Sequence, residues 1–133
     1  MTQVIKGIRV LDFGRYIAGQ FCGTLLADMG AEVIRIEKVD GSEDRYLAPI
    51  SDTDDGGTFM QLARNKKGLT LNPMKPEGRE IVKKLVATAD VVIANLPPDT
   101  LAAMGLDYDS LKSVKPDIIL TMISAFGRGG PYS

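Results

Sequence analysis

Apolar positions along this chain recur with two different periods, and the switch between them outlines the first elements. Residues 8–13 (IRVLDF) form a short, β-branched, mostly apolar run that Gly14 breaks. From residue 18 to residue 29 the apolar positions are Ala18, Phe21, Cys22, Leu25, Leu26 and Met29. Steps of three and four draw a single helical stripe, and Cys22 is expected within it as a small buried hydrophobe. Gly30 stands where a helix C-cap is expected. Glu32–Glu37 (EVIRIE) reads as a second strand. A strand, a helix and a strand within about 30 residues make a βαβ unit, with a parallel, right-handed crossover.

Periodicity then lapses. Residues 38–57 are rich in Asp, Gly and Ser and read as a long surface loop, a kind of segment that is often functional. Residues 58–65 suggest a short helix, and Lys66 and Lys67 lead into a brief strand at 68–71. Pro76 and Glu77 signal the start of a helix over residues 76–89. Its buried stripe is Ile81, Val82, Leu85, Val86 and Ala89, with Lys83 and Lys84 outside. Residues 91–94 (VVIA) are apolar throughout, as expected of a strand inside a parallel sheet. Asp99 is expected to cap a short helix reaching Met104 and ended by Gly105. Residues 108–114 predict another helix, stopped at Lys115-Pro116. Residues 117–123 predict a last buried strand, and the glycine-rich SAFGRGGPYS follows. Strands alternating with helices specify the α/β class with an open, mostly parallel sheet.

Composition narrows the chemistry. At 133 residues the chain fits one domain with a sizeable core. Sixteen basic against seventeen acidic residues leave a net charge of −1, which gives no footprint for nucleic acid or an anionic membrane. No apolar run approaches the roughly 20 residues of a membrane span, and the N-terminus lacks the apolar core of a signal peptide. The single cysteine rules out an internal disulfide and suits a reducing cytosol, so a cytoplasmic location is expected. Histidine is absent. The chain therefore cannot build a Ser-His-Asp or Cys-His unit by itself, and no metal site is expected.

In an open parallel sheet, ligands bind beyond the carboxyl ends of the strands. That rule selects five segments for one rim: residues 13–18, 38–41, 71–75, 95–98 and 124–130. The first turn, FGRYIAG, is not a GxGxxG fingerprint. It reads either as a tight turn required by helix packing or as a ligand-facing turn. Arg15 reads either as a phosphate contact or as a solvated charge. Lys38 stands where nucleotide-binding folds meet ribose or its phosphate, and is otherwise a strand-end lysine without a partner. Arg64, Lys66 and Lys67 read as a solvated basic face. Gly127, Gly129 and Gly130 either bring backbone N–H groups to an anion or form a plain loop.

Several stretches in order carry a more specific signal: GIRVLDFGRYIAG, FCGTLLADMGAEVIRIEK, ARNKKGLTLN, PEGREIVKKLVATADVVIAN, LAAMGLDYDSLKSVKPDIIL and SAFGRGGPYS. Over nearly the whole chain they resemble the N-terminal region of family III CoA-transferases, whose close relatives include α-methylacyl-CoA racemase. The resemblance implies that residues 1–133 are the N-terminal, CoA-binding part of a Rossmann-like large domain, a fragment of a longer protein. It implies coenzyme A as substrate, acyl-CoA and carboxylic acid as partners, and an interlocked homodimer. The positions it points to for CoA are Arg15, Tyr16, Ile17, Ala18, Lys38, Leu71, Lys75, Asn95, Leu96 and Met104. The implied mechanism is covalent: an aspartate attacks the thioester to form an acyl-aspartyl anhydride, and CoA then returns to give an aspartyl thioester. In the family that aspartate lies downstream of the SAFGRGGPYS segment, so no catalytic residue is assigned here and the chain alone is expected to be inactive. Asp12 and Asp28 match the family as structural residues.

The chain departs from the family at several places. ANLPP stands where ENF-basic-P is frequent, and Ala103 replaces an arginine seen in some members. LNPMKPEG moves a CoA-contacting lysine from position 74 to Lys75, and Gln20 replaces a frequent proline. Two other readings compete with the transferase: a racemase that abstracts the proton α to the thioester, and a non-catalytic nucleotide-binding module.

Overall fold

The two apolar runs at the start of the chain become adjacent parallel strands, and every later strand joins the same sheet. The computed structural model describes residues 3–48, 52, 55–127 and 129–132. Strand β1 (Arg9–Asp12) leads to helix α1 (Ala18–Asp28) and strand β2 (Glu32–Glu37). Helix α2 (Gly57–Leu62), strand β3 (Lys66–Thr70), helix α3 (Pro76–Val86) and strand β4 (Val91–Ala94) follow. Helices α4 (Pro98–Met104) and α5 (Tyr108–Val114) precede strand β5 (Ile119–Met122). The strand order is β3-β2-β1-β4-β5, with every pairing parallel. The expected α/β class and the βαβ opening are therefore present. Among the described residues no helix is long and apolar enough to cross a membrane.

Alternation along the strands sends residues to two unlike cores. Leu11, Ile36, Val92 and Ala94 face one side and pack with Val82, Val86, Leu101 and Leu111 of α3, α4 and α5. The buried residues on this side are apolar. Val10, Val33 and Ile93 form a smaller apolar cluster under α1 with Ala27 and Ala31. Beside that cluster the α1 side is ionic. Asp12, Gln20, Arg35, Glu37 and Asp44 are all buried.

The ionic side reverses the expected orientation of α1. Its inward residues are Gly19, Gln20, Gly23, Thr24 and Ala27. Of the six residues of the predicted stripe, Phe21, Leu25 and Met29 are 48%, 46% and 43% exposed, while Cys22 and Leu26 are part-buried against the smaller apolar cluster. Close packing and polar demand explain the reversal. A Cβ on Gly23 would stand 2.6 Å from Asp12 Oδ2, so only a bare backbone fits over that carboxylate. The Gln20 amide donates to Asp44 and accepts from Arg35. The Thr24 hydroxyl sits 2.6 Å from the Leu62 carbonyl, on which it donates. Buried polar groups must find partners, and α1 turns its small and polar face inward to supply them. Cys22 is consequently only part-buried.

Other expectations shift for similar reasons. Of the predicted loop 38–57, residues 49–51, 53 and 54 lie outside the described residues, and residues 38–48 are not simply surface loop, because a 3-10 turn over Glu43–Tyr46 anchors them. Asp44 is 1% exposed, with Arg35 Nη2 2.6 Å away. The predicted strand 68–71 starts earlier, at Lys66, whose ammonium is buried instead of solvated. Pro97, not Asp99, occupies the N-cap of α4, leaving Asp99 in its first turn. Ile81 is 43% exposed on α3, although Val82, Val86 and Ala89 are buried as expected. β5 has a neighbour on one side only and leaves Ile119 exposed, so it is an edge strand and not a buried one.

Glu37 shows what the ionic cluster does for stability. Burial by itself would raise its pKa. Hydrogen bonds from Arg45, the Arg35 charge and the Ser42 N–H outweigh that, and hold the carboxyl below its ordinary value of 4.5. A carboxyl with a lowered folded-state pKa adds stability above its unfolded value, and that contribution is lost as pH falls through the folded one. Glu37→Gln should therefore be less stable at neutral pH and lose less on acidification from about pH 6 to about pH 3. Urea unfolding across that range checks it; an acid loss as steep as in the unmodified chain would contradict the assignment.

Candidate functional site

The first turn is built by close backbone approach. A Cβ on Gly14 would lie 2.6 Å from the Gly19 carbonyl carbon, so both glycines are needed where the turn folds onto the start of α1. Asp12 Oδ1 accepts from the Gly14 N–H at 2.8 Å. Tyr16 has φ of 55°, in the left-handed region, where a residue without a glycine's freedom must be held in place. Asn95, at the end of β4, does the holding. Its Oδ1 accepts from the Arg15 N–H at 2.7 Å, and its Nδ2 donates to the Arg15 carbonyl at 2.9 Å.

Above this turn, at the carboxyl edge of the sheet, lies a cavity of about 410 Å³. Arg15, Lys38, Leu71, Leu96 and Met104 line it together. Half of the ten positions suggested by the resemblance thus converge on one concave space. Sequences 80 residues apart meet there because parallel strands deliver all their ends to one side.

The other five do not line the cavity. Tyr16, Ile17 and Ala18 are exposed along the outer side of the turn and the start of α1. Lys75 is exposed at the N-cap of α3. Both polar ends of the Asn95 side chain are bonded to Arg15, so in this structure it positions the turn. Of the five predicted rim segments, four meet at the cavity or at its clip. Gly127 and Gly129 of the fifth line a separate cavity with Pro98 and Asp99; Arg128 and Ser133 lie outside the described residues. Gly130 lines neither cavity.

The structure adds lining residues. Val39, Asp40, Asn72, Pro73 and Met74 belong to segments that the strand-end rule had already selected. Thr100, on α4, carried no sequence signal. Its place depends on how α4 lies across the rim.

The two cations of the cavity are not equally available. Arg15 Nη1 donates to three carbonyls, of Phe13, Gly14 and Ile36, at 3.3, 3.2 and 3.1 Å. Burial first, and the Arg35 charge second, pull its pKa below the ordinary arginine value against Asp44, Asp12 and Glu37. Lys38 reaches solvent and pairs with Glu43, so it is not the partnerless strand-end lysine. In the basic cluster downstream, Arg64 and Lys67 are exposed as the solvated-face reading expects, and only the buried Lys66 departs from it. Arg64 pairs with Asp28 at 2.6 Å, Lys67 with Glu32, and Lys66 with Asp12 at 2.8 Å. Burial and the Asp12 charge raise the Cys22 pKa, with Lys66 opposing, so the thiol is not activated. Among the described residues no group of His, Cys, Asp and Glu is arranged to hold a metal.

The crevice beyond the strand ends of an open parallel sheet is where such folds hold ligands. Residues 5–133 match the model of the family described as CoA-transferase family III. The chain belongs to CoA-transferase family III. It is 40% identical over 136 residues to a succinate–glutarate CoA-transferase of Agrobacterium fabrum, covering 97% of this chain and 34% of that protein. It is 42% identical over 130 residues to a succinyl-CoA–D-citramalate CoA-transferase of Chloroflexus aurantiacus, covering 96% of this chain and 32% of that protein. A crystal structure of a CAIB/BAIF family protein from Brucella suis superposes with a TM-score of 0.89 at 39% identity, over 96% of this chain and 35% of that one. The family III chain described here spans about a third of the length of these relatives.

Proposed function

We propose that these residues form the nucleotide-holding part of an enzyme that moves CoA between an acyl-CoA and a carboxylic acid. The observation that carries this reading is the rim cavity, where Arg15, Lys38, Leu71, Leu96 and Met104 converge in a chain of this family. Its floor is apolar, which suits a base or a pantetheine arm, and Lys38 supplies a cation for a phosphate. The relatives include a succinate–glutarate CoA-transferase and a succinyl-CoA–D-citramalate CoA-transferase, which makes small dicarboxylic acids the first acceptors to try.

The chemical step would be carried by an aspartate outside these residues. The carboxylate attacks the thioester carbonyl, expels CoA thiolate and leaves a mixed anhydride; the thiolate then attacks the aspartyl carbonyl and releases the acid. Supporting this division, the carboxylates beside the first turn are already engaged. Asp12 is paired with Lys66, Glu37 with Arg45, and Asp44 with Arg35.

Calorimetric titration of the chain with CoA tests the cavity. Saturable binding is expected, and Lys38→Ala should weaken it about tenfold, the worth of one charge-assisted phosphate contact. Equal affinity in the variant would remove Lys38 from the site. An acyl-CoA exchange assay on the same chain should give no turnover, and measurable exchange would overturn the placement of the nucleophile elsewhere.

A further inference from the structure

Lys38 is the cation of the rim cavity that still faces solvent, yet it is not free. The Glu43 carboxylate is paired with its ammonium. Both side chains are more than half exposed, and such pairs are individually weak. What sets this one apart is how Glu43 is held.

Glu43 opens the 3-10 turn of residues Glu43–Tyr46, and its neighbours on both sides are fixed. The Ser42 N–H donates to Glu37 Oε2 at 3.1 Å. Asp44 is buried against Arg35 and Gln20. Arg45 straddles the Glu37 carboxylate with bonds of 2.7 and 2.8 Å, and its guanidinium lies 4.1 Å from the centre of the Phe59 ring. The backbone at Glu43 is therefore clamped at positions 42, 44 and 45. The ionic core, not a chance surface encounter, holds this carboxylate beside Lys38, which lines the cavity. Asp40 lines the cavity as well. A ligand phosphate approaching Lys38 meets a carboxylate already in place.

We propose that Glu43 is an affinity-determining residue that competes with the ligand's phosphate for Lys38. The inference rests on the CoA-binding reading above. A phosphate must exchange with Glu43 or bind beside a like charge, and either route lowers affinity. Removing the charge while keeping the shape should tighten binding, in the direction opposite to that expected for a residue that merely holds the fold.

The experiment is a double-mutant cycle of CoA affinity, by calorimetry at low ionic strength, on the unmodified chain, Glu43→Gln, Lys38→Ala and the double variant. Glu43→Gln should bind about threefold more tightly, the scale of one exposed ion pair. The gain should vanish in the Lys38→Ala background. Unchanged or weaker binding by Glu43→Gln overturns the competition, and so does a gain that persists without Lys38. Failure of the unmodified chain to bind CoA overturns the proposed function itself, whereas binding with a flat cycle removes Glu43 alone.

Discussion

Lys66→Met should destabilise the chain by about 3–5 kcal/mol, the usual consequence of removing one partner of a buried ion pair. The Lys66 ammonium is essentially inaccessible, 1% exposed, and Asp12 is fully buried. Lys66 Nζ donates to Asp12 Oδ2 at 2.8 Å and to the Gln20 carbonyl at 2.7 Å. Burial pulls the lysine below its ordinary pKa, while the Asp12 charge and hydrogen bond pull it back up. Methionine fills the space but leaves the carboxylate with the Gly14 N–H as its remaining hydrogen bond from those described. Against a total of about 5–15 kcal/mol for a domain, that loss is large. Adding Asp12→Asn should recover part of it, because the amide oxygen still accepts from Gly14 and the stranded charge is gone. Urea unfolding of both variants checks the account. A Lys66→Met chain within about 1 kcal/mol of the original would show the pair to be solvated.

Gly78→Ala should also destabilise, against the usual preference. Alanine in a helix is favoured over glycine by about 1 kcal/mol. Here the added Cβ would stand 1.9 Å from the Asn72 carbonyl oxygen and 2.7 Å from its carbonyl carbon. Both are backbone atoms, and the oxygen already accepts from the Lys75 N–H at 3.2 Å. Overpacking costs about 1–3 kcal/mol even against movable side chains, so a net loss of about 2 kcal/mol is expected, with Tm lower by about 8 °C. The displacement would also reach the site, because Asn72, Pro73 and Met74 line the rim cavity. CoA affinity should fall together with Tm. A variant of raised Tm would mean that the helix propensity prevails and that the segment yields easily.

The family resemblance and the geometry support each other unevenly. The rim rule placed Arg15, Lys38, Leu71 and Leu96 near one another from strand ends alone, and the cavity gathers them with Met104. Asn95 was legible as a rim position but not as a clip, because its role depends on an Arg15 backbone 80 residues away. Thr100 had no signal at all. Lys66 resembled a solvated charge, since a basic run next to Arg64 says nothing about an aspartate on another strand.

Local pattern was sufficient wherever the deciding interaction is local. Strands Glu32–Glu37 and Val91–Ala94 and helix Tyr108–Val114 occupy the residues expected of them, because β-branched runs, apolar spacing and caps act within a few residues of chain. The parallel sheet, and therefore the edge that could hold a ligand, follows from the same reading. Orientation did not follow. The spacing of Phe21, Leu25 and Met29 identified a helix correctly and its buried face wrongly. That face was chosen by buried charges on strands β1, β2 and β3, which needed Gln20 and a bare Gly23 opposite them, and by the Leu62 carbonyl, which takes the Thr24 hydroxyl. Burial is a property of two surfaces, and one sequence segment carries only its own.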